Sequence, residues 1–216
     1  MKSRTLILSS LIAMTALSAC SRDGELVVNS GVGIFSTRTG CPTVGVPDGT
    51  GDITLFNPAS SRDASAIDVT ATLTKLRPTC NSSGETIYTE TTFEVQARRS
   101  DARGARTVTL PYFSSVVQGG SAVIAKRVGQ VNVNFADGQY TATAIGKAAS
   151  FIKGDAARLP ADIVAKINKK RKPGDADAAL DPMADPQVKA ALVRTSFELL
   201  VGFQLTEAQL RYNVTR

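Results

Sequence analysis

The 216-residue chain is 43% hydrophobic and 20% charged, proportions ordinary for a globular protein and too apolar for wholesale disorder. Its formal net charge is +6, mildly basic and too diffuse to mark a nucleic-acid-binding protein. It has no histidine, which removes Ser-His-Asp and Cys-His nucleophile systems, histidine metal sites and the commonest general base together.

The first twenty residues read as an address. Lys2 and Arg4 form a short basic start, and Leu6 to Leu17 supply an apolar stretch too short for a comfortable permanent span. Small residues then lead into a cysteine, as Leu17-Ser18-Ala19-Cys20. This pattern resembles the lipobox of bacterial lipoproteins, and the resemblance covers residues 1–20 alone. It implies that signal peptidase II cuts before Cys20 and that the thiol becomes lipidated, whereas an ordinary secretory signal needs no cysteine here. Ser21, being other than Asp, implies by the family's rule release to the outer membrane, in the inner leaflet and facing the periplasm. One acyl chain anchors only marginally, at about 0.8 kcal/mol per buried methylene; the several chains that the resemblance implies would hold stably. No later segment approaches 18 uninterrupted apolar residues, so a chain anchored to a membrane without crossing it is expected. The expected organisation is a signal peptide over 1–19, a lipidated tether over 20–25 and a single domain over 26–216.

Cleavage leaves 197 residues (Cys20–Arg216), enough to bury a core. Loss of Lys2 and Arg4 leaves 23 basic against 19 acidic residues, a formal +4. With Cys20 committed to lipid, Cys41 and Cys80 remain as one candidate disulfide pair in an oxidising periplasm. Gly40 and Pro42 flank the first, and Pro78-Thr79 and a polar Asn81-Ser82-Ser83-Gly84 stretch flank the second, placing both at strand ends or in loops. A redox or metal pair is disfavoured because CxxC spacing is absent.

Beyond the tether the dominant period is two. Leu26 to Val28, Val32 to Phe35 and Ile53 to Phe56 are short strand candidates. Ile67, Val69, Ala71 and Leu73 alternate with polar residues, as do Phe93, Val95 and Ala97. Asp101 to Gly104 reads as a hairpin turn, Thr107 to Leu110 begins the next strand before Pro111, and Gln118-Gly119-Gly120 breaks that strand. Val123 to Ala125 starts another strand, and Val131, Val133 and Phe135 a further one. Asp137-Gly138 is the strongest hairpin signal of the chain, with Tyr140, Ala142 and Ala144 continuing on its far side. Phe197, Leu199, Val201, Phe203 and Leu205 form one face of a long strand. Leu210, Tyr212 and Val214 suggest a last one, although Glu207-Ala208-Gln209 equally opens a helical turn.

One region departs from this rule. Leu159, Ile163, Val164 and Ile167 recur at helical spacing behind Pro160, and Asp185-Pro186 opens a second helix with Val188, Ala191, Leu192 and Thr195 on one face. Residues 155–195 are therefore expected to form a small helical insertion between two strands. Some eight to ten strands with regular turn signals predict an all-β, immunoglobulin-like β-sandwich, although no Trp is present to mark its core.

No constellation carries a reaction. The chain lacks G-x-S-x-G, S-x-x-K and nucleotide-binding glycine loops, and no pair of carboxylates stands out for hydrolytic work. Lys166, Lys169, Lys170, Arg171 and Lys172 form the one dense basic run, a candidate contact for an anionic envelope polymer or an acidic partner. The plainer reading is that cations at a helix C-terminus complement its dipole and stay solvated. Asp175, Asp177, Asp181 and Asp185 begin a calcium-like alternation that then fails. Arg98, Arg99, Arg103 and Arg106 gather around the Asp101–Gly104 turn, as a rim for an acidic ligand or as a solvated turn. The functional expectation is a non-catalytic envelope accessory or adaptor, without cofactor, that binds a protein partner at the membrane. The alternative is a polysaccharide- or small-ligand-binding lipoprotein, and behind it a carboxylate-dependent hydrolase.

Overall fold

The computed structural model describes residues 40–169 and 180–215. Within them the chain is mostly β, in two four-stranded sheets of a sandwich-like fold. The strands are β1 (Thr43–Gly45), β2 (Asp52–Phe56), β3 (Ile67–Asn81), β4 (Thr86–Arg99), β5 (Arg106–Gln118), β6 (Ala122–Phe135), β7 (Thr141–Lys153) and β8 (Phe197–Phe203). One sheet runs β1-β8-β5-β6 and the other β2-β3-β4-β7. All neighbours are antiparallel except β1, which lies parallel to β8. The strand candidates at Leu26–Val28 and Val32–Phe35 lie outside the described residues, as does Cys20.

The two-residue alternation sets the core. Val69, Ala71 and Leu73 of β3, Phe93, Val95 and Ala97 of β4, and Leu199, Val201 and Phe203 of β8 are all buried between the sheets. β5 runs through Pro111 and ends at Gln118, where the sequence places the break. The Pro111 carbonyl accepts from Gln204 N, just past the last residue of β8. Because N and C=O of one strand residue face the same edge, the missing donor faces the end of β8 and β6 loses no bond.

Two predicted hairpins are corrected. Asp137-Gly138 does not close a hairpin, because β6 and β7 belong to different sheets; nor does Asp101–Gly104, since β4 and β5 also do. Both segments cross between sheets at the same end of the sandwich and bond to each other. Gly104 N donates to Asp137 Oδ1 at 2.6 Å and Gly138 N to Ala102 O at 2.8 Å. Hairpins are instead formed by β3–β4 and by β5–β6, the latter turned at Gly119 and Gly120 with φ of +64° and +77°. Val123–Ala125 and Val131–Phe135 are thus one strand.

Between β7 and β8 lie α1 (Gly154–Ala157), α2 (Ala161–Ile167) and α3 (Pro186–Arg194). Asp185 caps α3, accepting from Gln187 N at 2.7 Å. Ile163, Val188 and Ala191 form a small second core there. The chain closes in α4 (Glu207–Thr215), which overturns the strand suggested by Leu210, Tyr212 and Val214. Thr206 and Gln209 explain it as a reciprocal cap: Thr206 N donates to Gln209 Oε1 and Gln209 N to Thr206 Oγ1. Asn213 then ties α4 to the start of β2, donating to the carbonyls of Gly49 and Asp52.

Candidate functional site

Cys41 and Cys80 form a disulfide with Cα atoms 6.2 Å apart. It joins the segment before β1 to the far end of β3, where β2 no longer pairs with that strand. Of the basic run, Lys166 and Lys169 are described and Lys170, Arg171 and Lys172 lie outside the described residues. Lys166 Nζ donates to Gln187 Oε1 and lies 3.8 Å from Asp185 Oδ2, so this cation joins α2 to the capped start of α3. Asp181 likewise serves as a cap, accepting from Met183 N at 2.9 Å. Among the described residues no three His, Cys, Asp or Glu side chains gather as metal ligands, and no helix is long and apolar enough to cross a membrane.

The arginine rim is mostly consumed internally. Arg99 is 1% exposed, and its guanidinium donates to four main-chain carbonyls, those of Ala102, Gly104, Ala136 and Gln139. Its carbon also lies 5.2 Å from the centre of the Phe135 ring. This side chain therefore ties together the two crossings at that end. Arg106 makes two bonds to Asp68, of 2.7 and 2.6 Å, and these bonds hold the guanidinium above its ordinary range. Arg103 binds Asp101 through side chain and main chain, holding that carboxyl at about 2. Of the four, Arg98 is left exposed without such a partner among the described residues.

Among the described residues an opening lies on the opposite half of the same side. β6 and β7 are the outer strands of their sheets. Val131, Val133 and Phe135 of β6 are buried, whereas every residue from Ala122 to Val128 is exposed. The change comes at two aromatic–glycine pairs. Phe93 of β4 covers its neighbour Gly146 on β7, and Tyr112 of β5 covers its neighbour Gly129 on β6. A Cβ at Gly146 would lie 2.2 Å from Phe93, and one at Gly129 2.6 Å from Tyr112. The two rings fill the gap between the edges, and beyond them the edges part.

A recess of about 70 Å³ opens there, lined by Ser114 and Val116 of β5, Ala125 and Arg127 of β6, and Ser150 and Phe151 of β7 among others. No carboxylate lines it. Ser150 is 2% exposed and its hydroxyl has no hydrogen-bond partner. Thr89, paired with Ser150 across β4 and β7 and fully buried, is unpartnered at its own hydroxyl. Buried hydroxyls are normally bonded, so Ser150 on the recess lining, with Thr89 behind it, marks polar capacity that the fold itself does not use. Arg127 has no ion pair within the described residues, while Lys126 beside it lies over the Phe113 ring at 5.1 Å. Phe151 is 60% exposed, with Tyr88 against it at 5.0 Å between ring centres. The lining offers donors to a bound group and no base to activate a nucleophile. No protein-family model matches the chain, and no curated protein or solved structure matches it significantly.

Sequence reasoning passed over this recess because its groups come from three strands. One signal was available. Ala122–Val128 follows a Gly-Gly turn with β-branched residues yet lacks the two-residue alternation found elsewhere, as befits a strand with neither face covered.

Proposed function

We propose that this chain is a lipid-anchored, periplasm-facing envelope lipoprotein that acts without catalysis, as an adaptor holding a partner protein at the outer membrane. The lipobox resemblance of Leu17-Ser18-Ala19-Cys20 supports the anchor, and the Cys41–Cys80 disulfide accords with an oxidising compartment. The observation that carries the adaptor role is the edge of β6. Seven consecutive exposed residues, among them Val123, Ile124 and Val128 at 61, 52 and 61% exposure, lie on a strand that, among the described residues, is paired on one side only. Such an edge accepts an added strand through main-chain bonds, with side chains setting specificity. We also infer an immunoglobulin-like arrangement. β4 pairs with β7 in one sheet and β5 with β8 in the other, as two crossed strand pairs of such a sandwich do.

Anchoring is tested by metabolic labelling with palmitate and by membrane fractionation of wild type and Cys20→Ser. Label and outer-membrane recovery that disappear together in the variant support the reading; unlabelled, soluble wild type contradicts it. A second reading, a polysaccharide-binding lipoprotein, is favoured by the exposed Tyr88–Phe151 pair, a surface on which sugar rings stack.

A further inference from the structure

We infer that the recess between β6 and β7 is a carboxylate-binding site, with Arg127 as its cation and Ser150 as its buried hydroxyl donor. The inference deepens the adaptor reading by naming the chemistry that would seat an acidic side chain of a strand laid along β6; a small free carboxylic acid offers the same group.

Three independent observations converge. The lining carries the unpaired Arg127 and no acid, so its field favours an anion. Ser150 and Thr89 bring two buried hydroxyls without partners, side by side across β4 and β7. Of the two, Ser150 lines the recess, and leaving it unbonded costs free energy that a bound acceptor would restore. The recess also has room, since about 70 Å³ exceeds the space one water needs. A carboxylate matches these donors in number. It accepts two parallel bonds from a guanidinium and keeps lone pairs for hydroxyls. A phosphate dianion would bring more charge and more acceptor atoms than one arginine and these hydroxyls satisfy. Ser114, 8% exposed on β5, supplies a second hydroxyl to the lining. Val116 and Ala125 in the lining leave an apolar surface for the carbon chain bearing the acid.

The test is calorimetric titration of the lipidated full chain in detergent with glutarate, with a hexapeptide alternating glutamate and valine, and with inorganic phosphate. Arg127→Gln and Ser150→Ala are the variants, and Arg98→Gln on the opposite end is the control. Loss of one charge-assisted bidentate contact is expected to weaken carboxylate binding about tenfold or more in Arg127→Gln. Ser150→Ala is expected to weaken it by a factor of about 3 to 10, and Arg98→Gln to leave it unchanged. Peptide binding much tighter than glutarate assigns the carboxylate to a partner strand, and equal affinity assigns it to a free acid; each supports the site. Three results overturn it: neither carboxylate binding up to about 10 mM, weaker than any useful affinity on the usual scale; binding indifferent to Arg127→Gln; or phosphate binding more tightly than both. Should Arg127→Gln disturb the fold, circular dichroism reveals it, and Arg127→Lys, which keeps the charge and loses the fork, then decides. Failure here leaves the β6 edge intact as a strand-pairing surface, whereas absence of any partner at β6 with glutarate still bound would sink the adaptor reading alone.

Discussion

Phe93 and Tyr112, one from each sheet, meet edge to face with ring centres 5.0 Å apart, and Tyr112 Oη donates to Lys147 O at 2.6 Å. Each ring lies over the glycine paired with it, so a single aromatic contact joins β4, β5, β6 and β7. The sandwich is sealed on one side of this contact and open on the other. Gly146→Ala should therefore cost about 1–3 kcal/mol, the usual range for overpacking, because Phe93 must give way. Tyr112→Phe, which keeps the ring and loses one hydrogen bond, should cost about 0.5–1.5 kcal/mol. Urea unfolding of both variants checks the order, and a neutral Gly146→Ala would contradict the packing described.

Arg99 presents a larger risk to the fold. Arg99→Met removes the guanidinium donors from four carbonyls at the crossing of the two loops, of which Ala102 O and Ala136 O keep main-chain donors, and should destabilise by about 3 kcal/mol or more. Arg99→Lys, with three donors on one nitrogen, should fall between. Hydrogen exchange should quicken first in residues 100–105 and 136–140. Equal protection of those loops in Arg99→Met would show that they hold without it.

The disulfide closes a separation of 39 residues, for which the chain-entropy account gives about 4 kcal/mol. Cys41→Ser and Cys80→Ser should lower stability alike, and each should match the reduced wild type. The lipidated chain, denatured without reductant, should present no reactive thiol. One or two reactive thiols would contradict the pairing.

Asp101 provides a pH test. The Arg103 side chain, and next the Arg103 N–H, hold its carboxyl at about 2. A lowered carboxyl favours the folded state above its unfolded value and loses that contribution as pH falls through about 2. Asp101 is solvent-exposed, so the effect on stability is small and screened, and the readout is its own titration. Carbon-detected NMR should place the midpoint at about 2 in wild type and return it toward the ordinary carboxylate range in Arg103→Ala. No movement in the variant would remove Arg103 as the cause.

What the sequence makes legible is whatever local chemistry controls. The alternation of Val69, Ala71 and Leu73 and the cap at Asp185 both appear in the structure as read. Asp137-Gly138 misleads because its turn chemistry is local while its partners are not: Arg99, 38 residues earlier, and Gly104 draw it into a crossing between sheets. The helix over 207–215 was readable in Thr206 and Gln209, whose capping roles outweigh the alternation of Leu210, Tyr212 and Val214. The recess could not be read. Ser114, Arg127 and Ser150 meet only once β5, β6 and β7 are in register, and nothing local announces a hydroxyl left without a partner.

The most direct test of the adaptor account is in-cell photo-crosslinking with a probe at Ile124 of β6, and a second at Thr72 on the outer face of the β2–β3 pair. A single stoichiometric protein captured at Ile124, absent at Thr72 and lost in Cys20→Ser, is the predicted result. Capture that is equal at the two positions, or none at Ile124 with the protein at full level, would contradict the claim that the open edge of β6 is where this chain binds its partner.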